Sequence, residues 1–297
     1  MHSNFDLAGR AIQRSSNPAI KLTRRVTFAS GHRYWDAGLS PDENHALFGR
    51  WASPFNHGHN YGLEVTVEGA IDPVNGMVVN IKTIDETLQA TVVAEFDQKS
   101  INDEIEHFGS KPSSLENLMI YIASRLGAGV LPREARLAGL TLHESEDLSG
   151  AYFEEDGAWI LTLTRSYEFA AAHRLNVPDM TEEQNIALFG KCNSPAGHGH
   201  NYALEVTVEG EPDPRTGMMV DLEKLDKAVE DLVVERYDHK HLNVDIPEFM
   251  DRTPTSEVIA QEIFNRLDGN LPATLRRVRL FETARSCFEV SRRDAYL

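Results

Sequence analysis

The chain has 297 residues, 41% of them apolar and 25% charged, a balance of globular domains rather than of disorder. Asp plus Glu outnumber Lys plus Arg by 46 to 29, a formal charge of −17. So acidic a surface repels nucleic-acid phosphates and anionic lipid heads, which disfavours nucleic-acid and membrane-surface partners.

In chain order, residues 1–20 read as a polar, flexible N-terminal arm without the apolar stretch of a signal peptide. No apolar run approaches the roughly 20 residues that span a bilayer. With only two cysteines, Cys192 and Cys287, there is no disulfide framework, and a cytoplasmic setting is expected. The rest of the chain repeats itself. HGHNYGLEVTVEG at 57–69 and HGHNYALEVTVEG at 198–210 match at twelve of thirteen positions, an offset of 141. The same offset links FASGH with FAAAH and ALFGRWASPFNHGH with ALFGKCNSPAGHGH. It also links Asp97 with Asp238 and Glu116 with Glu257. It falls to 138 where Glu144 pairs with Glu282. A unit of about 140 residues present twice makes tandem domains, expected at 21–157 and 158–297, and no solenoid.

Each copy predicts the same elements. KLTRRVTFAS and ILTLTRSYEFAAA alternate as a first strand, and NYGLEVTVEG and NYALEVTVEG as a second. DPVNGM and DPRTGM supply turn chemistry. Leu222, Leu225, Val229, Leu232 and Val233 fall at helical spacing, as do their first-copy counterparts. A second helix opens near Ser114 or Thr255, and two strands close the unit. The fold class is α+β with an antiparallel sheet, and EEDGA (154–158) is a short linker.

The chemistry gathers at histidines. His198 and His200 stand at i and i+2 at the start of a strand, which turns both imidazoles to one face, and His173 ends the preceding strand. Three imidazoles with an open fourth position suit catalytic zinc. The same trio recurs as His32, His57 and His59. Cys192 follows Lys191, which with a nearby metal favours the thiolate; a small buried hydrophobe is the equal alternative. Asp238 beside His239 suits a proton carrier or a solvated surface pair. Glu282 at a strand end could accept two parallel N–H bonds from a guanidine-like ring edge, or be an ordinary strand-end charge. Glu257 is most simply a first-turn helix residue.

With these residues in place, the second copy resembles the 6-pyruvoyl tetrahydropterin synthase family, which includes the 6-carboxytetrahydropterin synthases of queuosine biosynthesis. FAAAHRL, NIALFGKCNSPAGHGHNY, DPRTGM, YDHKHLN, PTSE and FET carry the resemblance across most of 160–294. It implies a T-fold, with three units to a barrel and two rings stacked. It implies Zn²⁺ on His173, His198 and His200 and a 7,8-dihydroneopterin triphosphate substrate that loses triphosphate. It implies Cys192 as general base, Asp238 and His239 as proton relay, Glu282 as pterin anchor, and Thr255, Ser256 and Glu257 at the pterin. Lys191, Arg174 and Lys240 are candidate cations for the triphosphate. Five residues between Cys192 and H-G-H, and F-E-T, resemble the pyruvoyl branch, whereas P-T-S-E is frequent in the carboxy branch. A non-catalytic zinc and pterin binder and a three-His hydrolase are the competing classes.

The first copy departs where the chemistry lies: Trp51 stands for Cys192 and Gln98 for His239, while Asp97, Glu144 and the three histidines persist. Neither an indole nor an amide moves protons near pH 7, so this copy is expected to hold zinc without catalysing. In the resembled family the metal and cysteine come from one subunit and the Asp-His pair from its neighbour. Like-with-like rings are therefore expected, giving a homotrimer of the chain or a dimer of trimers.

Overall fold

A computed structural model describes residues 19–292; residues 1–18 of the expected arm lie outside them. The first copy supplies β1 (Ile20–His32), β2 (His57–Gly69), the two-residue β3 (Lys99–Ser100), β4 (Arg136–His143) and β5 (Leu148–Glu155). The second supplies β6 (Ala158–His173), β7 (His198–Glu209), β8 (Lys240–His241), β9 (Thr274–Thr283) and β10 (Ser286–Ser291). The helices are α1 (Pro41–Phe48), α2 (Ile81–Leu88), α3 (Leu115–Gly127), α4 (Glu182–Phe189), α5 (Leu222–Val229) and α6 (Ser256–Leu267), with shorter turns between them.

The alternation of the long strands decides which face is covered. On β1 and β2, Val26, Phe28, Tyr61, Leu63, Val65 and Val67 are buried beneath the helices. On β6 and β7, Phe169, Tyr202, Leu204, Val206 and Val208 repeat the pattern. Phe28 stacks on Tyr61, and Phe169 on Tyr202, each at 5.1 Å between ring centroids. The opposite face is polar: Thr23 meets Thr66 at 2.8 Å and Thr164 meets Thr207 at 2.9 Å. Ser114 and Thr255 cap α3 and α6, as their sequence position suggests. α2 and α5 each run into a five-residue π-helical stretch, Gln89–Val93 and Glu230–Val234. The wider turn shifts the helix face, so Val233 is fully buried while Leu232 is only partly so.

Two helices are additional to the sequence reading. α1 and α4 begin at capping boxes, Ser40 with Glu43 and Thr181 with Gln184. Their main buried anchors are Asn44 and Asn185, whose side chains bond the preceding loop: Asn44 accepts from Asp36 N–H and donates to Asp36, Leu39 and Ser40 carbonyls. A helix anchored by a buried amide carries little hydrophobic period to read.

All the strands form one sheet in the order β10-β9-β7-β6-β5-β4-β2-β1-β3, with β8 beside β6. The long strands pair antiparallel throughout. The linker is therefore a tight hairpin. Asp156 and Gly157, both at positive φ (51° and 83°), turn β5 into β6, and the two strands pair from Glu155↔Ala158 to Leu148↔Arg165. Asp-Gly suits such a two-residue turn because both positions need left-handed backbone. The copies are thus neighbours in one sheet.

The junction is also closed above the sheet. Ser114 Oγ donates to the Gly217 carbonyl at 2.6 Å, and Met219 N–H donates to Glu116 Oε1 at 2.8 Å. Asp226 holds Arg165 of its own copy and Arg50 of the other, at 2.9 and 3.3 Å. A Cβ on Gly217 would lie 2.5 Å from Asn117 Nδ2, so only glycine lets the loop approach this closely.

Candidate metal centre and active site

Register brings the histidines together. His173 pairs with His198 across β6 and β7, and His200 points to the same face two residues on. The ligand nitrogens of His173, His198 and His200 all lie within 4.8 Å of one another, as do those of His32, His57 and His59. Ring centroids are 4.6, 5.2 and 5.0 Å apart in the second copy, and 4.4, 5.2 and 5.1 Å in the first.

The donor set fits a cation. His173 Nδ1 is 2.8 Å from the Pro254 carbonyl, and His32 Nδ1 is 2.8 Å from the Ser113 carbonyl. A carbonyl only accepts, so each Nδ1 carries the proton and each Nε2 presents a lone pair. His173 Nε2 faces His198 Nε2 at 3.2 Å. The buried Nε2 atoms of His32, His59 and His200 have no hydrogen-bond partner. Lone pairs crowded together without donors are what a metal between them resolves. Burial, reinforced by neighbouring imidazoles, holds His173 and His198 below the usual histidine range, and pushes His32 down to about 3. Neutral imidazole is the ligating form.

A carboxylate stands beside each trio. Glu282 Oε1 is 3.8 Å from His173 Nε2 and 3.7 Å from His200 Nε2, and it accepts the Ser256 hydroxyl at 2.7 Å. Glu144 Oε1 lies 3.8 Å from His59 Nε2 and its other oxygen accepts Tyr61 OH at 3.4 Å. Burial, and then the Glu116 charge, pushes the Glu144 carboxyl up to about 7. Thr255 caps α6, and Glu257 in its first turn is exposed.

Cys192 is half-buried in the short turn Gly190–Asn193, and its carbonyl accepts Leu175 N–H at 2.9 Å. That bond ties the cysteine's turn to the chain leaving His173. Arg174 braces the same turn, donating to the Asn193 carbonyl at 3.1 Å and its side chain at 3.3 Å. Arg174 is thereby committed to structure, whereas Lys191 and Lys240 are exposed. At the matching position of the first copy, Trp51 lies under the Arg50 guanidinium, 4.4 Å from the ring centre.

Asp238 and His239 are held on the rim of β6. Asp238 accepts Ala170 N–H at 2.7 Å, and His239 N–H donates to the Ala170 carbonyl at 2.6 Å. His239 Nδ1 then lies 2.6 Å from Asp238 Oδ2. His239 takes a left-handed backbone, φ 56°, that a non-glycine residue rarely adopts. Its first-copy counterpart Gln98 has φ 59°. His239 and His200 line one shallow cavity together with Ala170, Gly199, His241 and Asp245. Among the described residues, no hydrogen bond or ion pair joins Asp238 or His239 to Cys192. The sequence reading missed the Pro254 and Ser113 carbonyls, since backbone groups leave no trace in residue identity. It also missed the docking of the 213–219 loop on the first copy, although DPRTGM marked that loop as a turn.

An α+β sheet carrying two three-histidine clusters, each beside a glutamate, defines the class. The family description "6-pyruvoyl tetrahydropterin synthase" matches residues 21–155 and again 162–293. The chain therefore belongs to the 6-pyruvoyl tetrahydropterin synthase family, as an enzyme of the lyase class built from two tandem T-fold units. It is 44% identical over 122 residues to the 6-pyruvoyl tetrahydrobiopterin synthase of Homo sapiens, covering 41% of this chain and 84% of that protein. It is 40% identical over 126 residues to the Drosophila melanogaster enzyme of the same name, covering 42% and 75%. The solved structure of Caenorhabditis elegans 6-pyruvoyl tetrahydropterin synthase covers 44% of this chain and 95% of its own, at 39% identity and a TM-score of 0.43. No helix among the described residues is long and apolar enough to cross a membrane.

Proposed function

We propose that the second copy converts 7,8-dihydroneopterin triphosphate to a 6-pyruvoyl tetrahydropterin with loss of triphosphate, using Zn²⁺ held by His173, His198 and His200. The observation that carries this reading is that the copy with the trio His173, His198 and His200 keeps Cys192 six residues before His198, whereas the other copy has Trp51 at that position. The bound ion supplies Lewis acidity to a side-chain hydroxyl of the substrate. Glu282, steadied by the Ser256 hydroxyl, presents its carboxylate to the guanidine-like edge of the pterin. Thr255 and Glu257 border the same ring. Cys192, as thiolate, takes the proton from the side-chain carbon, and His239, oriented by Asp238, moves protons on the other face. The C–O bond to triphosphate breaks with its electron pair, and exposed Lys191 and Lys240 are the cations nearest in sequence to receive the anion. Redistribution of electrons within the substrate balances the step, so no separate oxidant enters. The first copy holds its ion on His32, His57 and His59 and does not turn over, because Trp51 and Gln98 offer no base.

The test is incubation of the full chain with 7,8-dihydroneopterin triphosphate and mass spectrometry of the product. A pyruvoyl tetrahydropterin with free triphosphate is expected, and a 6-carboxy product would move the chain to the other branch. Cys192→Ala should lower turnover by about 100-fold or more while leaving metal content unchanged. Undiminished turnover would remove Cys192 from the mechanism.

A further inference from the structure

The two copies differ at the second residue after their first histidine. The second copy has Leu175 there, half-buried and with no polar side-chain atom to offer an ion. The first copy has Tyr34. Together with Trp51 in place of Cys192, this sets two bulkier residues around the first trio.

Local structure fixes where the phenol goes. On β1 the residues Val26, Phe28, Ser30 and His32 are buried on the helix side, and Tyr34 continues that alternation beyond the strand, bridging to Ala52 next to Trp51. Tyr34 is 8% exposed. Its ring stands edge-on to His32 at 5.3 Å between centroids, 6.3 Å from His57, and 6.0 Å from Phe48 of α1. The hydroxyl is turned inward. Burial first, and then the charges of Glu144 and Glu116, raise it well above the usual tyrosine range, and Tyr34 in turn raises Tyr61. Glu144 lies beside His59 and accepts the Tyr61 hydroxyl. Among the described residues no hydrogen bond ends on the Tyr34 hydroxyl, although a buried phenol ordinarily finds a partner. The buried Nε2 atoms of His32 and His59 are without partners as well. An oxygen and a set of imidazole nitrogens, gathered and unpartnered, are a donor set for one cation.

We propose that the Tyr34 oxygen closes the first-copy metal site, standing at the ion where a substrate hydroxyl stands in the second copy, so that His32, His57, His59 and Tyr34 hold a structural ion and leave no room for a pterin. The comparison with a substrate hydroxyl rests on the reaction proposed for the second copy; the closure does not. Four protein donors make a structural zinc site, and three with an open position make a catalytic one; zinc accepts oxygen as well as nitrogen donors. The carboxylates equivalent to Glu282 and Glu257 have partners within the chain: Glu144 accepts Tyr61, and Glu116 accepts Met219 N–H at 2.8 Å.

The closure is tested in the full chain carrying His200→Ala, which keeps the ion of the first-copy trio, with and without Tyr34→Phe. Phenylalanine preserves the ring against His32 and Phe48 and removes only the oxygen. Competition with a chromophoric chelator should show a zinc dissociation constant at least about 10-fold higher once Tyr34→Phe is added. Equal constants would overturn the proposal. Equilibrium dialysis of 7,8-dihydroneopterin, which has no triphosphate to lose, against the zinc-loaded unsubstituted chain should saturate at one molecule per chain and be lost with Glu282→Ala. Two molecules per chain, or one that survives Glu282→Ala, would also overturn the closure. No binding to the unsubstituted chain would count against the reaction proposed for the second copy, while the zinc constants decide the closure independently of it.

Discussion

Glu248 shows how the two copies diverge beneath a shared fold. Its carboxylate accepts Arg236 at 2.7 and 2.5 Å and Arg266 at 2.6 Å. At the matching positions of the first copy stand Glu95, His107 and Arg125, wired instead through Tyr121 OH to Glu95 at 2.5 Å. Arg236 above all holds the Glu248 carboxyl down to about 2. A depressed carboxyl stabilises the fold fully above the ordinary carboxylate range and loses that contribution as pH falls toward 2. Glu248→Gln should therefore cost about 2 kcal/mol near pH 7, with a smaller difference from the parent near pH 2.5. Urea unfolding at both pH values measures it, and equal costs at the two would contradict the linkage. The site histidines were legible from spacing alone, because a period of two on a strand fixes a common face. Their tautomers were not, because the fixing groups are the backbone carbonyls of Pro254 and Ser113.

At the scale of elements, the strands and the amphipathic helices could be read because each buries a face of regular period. α1 and α4 could not be read this way: an internal hydrogen-bond set around Asn44 or Asn185, in place of an apolar stripe, anchors them. Their capping residues, Ser40 with Glu43 and Thr181 with Gln184, were the available signal. The Asp156–Gly157 pair was visible too, yet a turn and a linker look alike until the register of β5 and β6 is known. Gly157 sits at φ 83°, where a β-branched side chain is strained. Gly157→Val should cost about 1–2 kcal/mol in urea unfolding, with metal content unaltered. A variant as stable as the parent would show that the turn does not require left-handed backbone.

For the molecule as a whole, the duplication has different consequences for structure and for chemistry. Structurally the copies are joined as successive parts of one sheet, and each retains the trio of imidazoles and its glutamate. Chemically the cysteine and the Asp-His pair survive only in the second. Across the junction the second copy brings Gly217, Met219 and Asp226 against the first, and Asp238 accepts Ala170 N–H of its own β6. The same contacts bury Glu116 of the first copy, whose carboxylate accepts Met219 N–H of the second.

Division of labour between the copies is most directly tested by matched substitutions in the full chain, His200→Ala and His59→Ala, assayed for metal content and for turnover of 7,8-dihydroneopterin triphosphate. Each should release one of two bound ions. His200→Ala should abolish triphosphate release, and His59→Ala should leave most of it. Turnover that survives His200→Ala but is lost in His59→Ala would contradict the account.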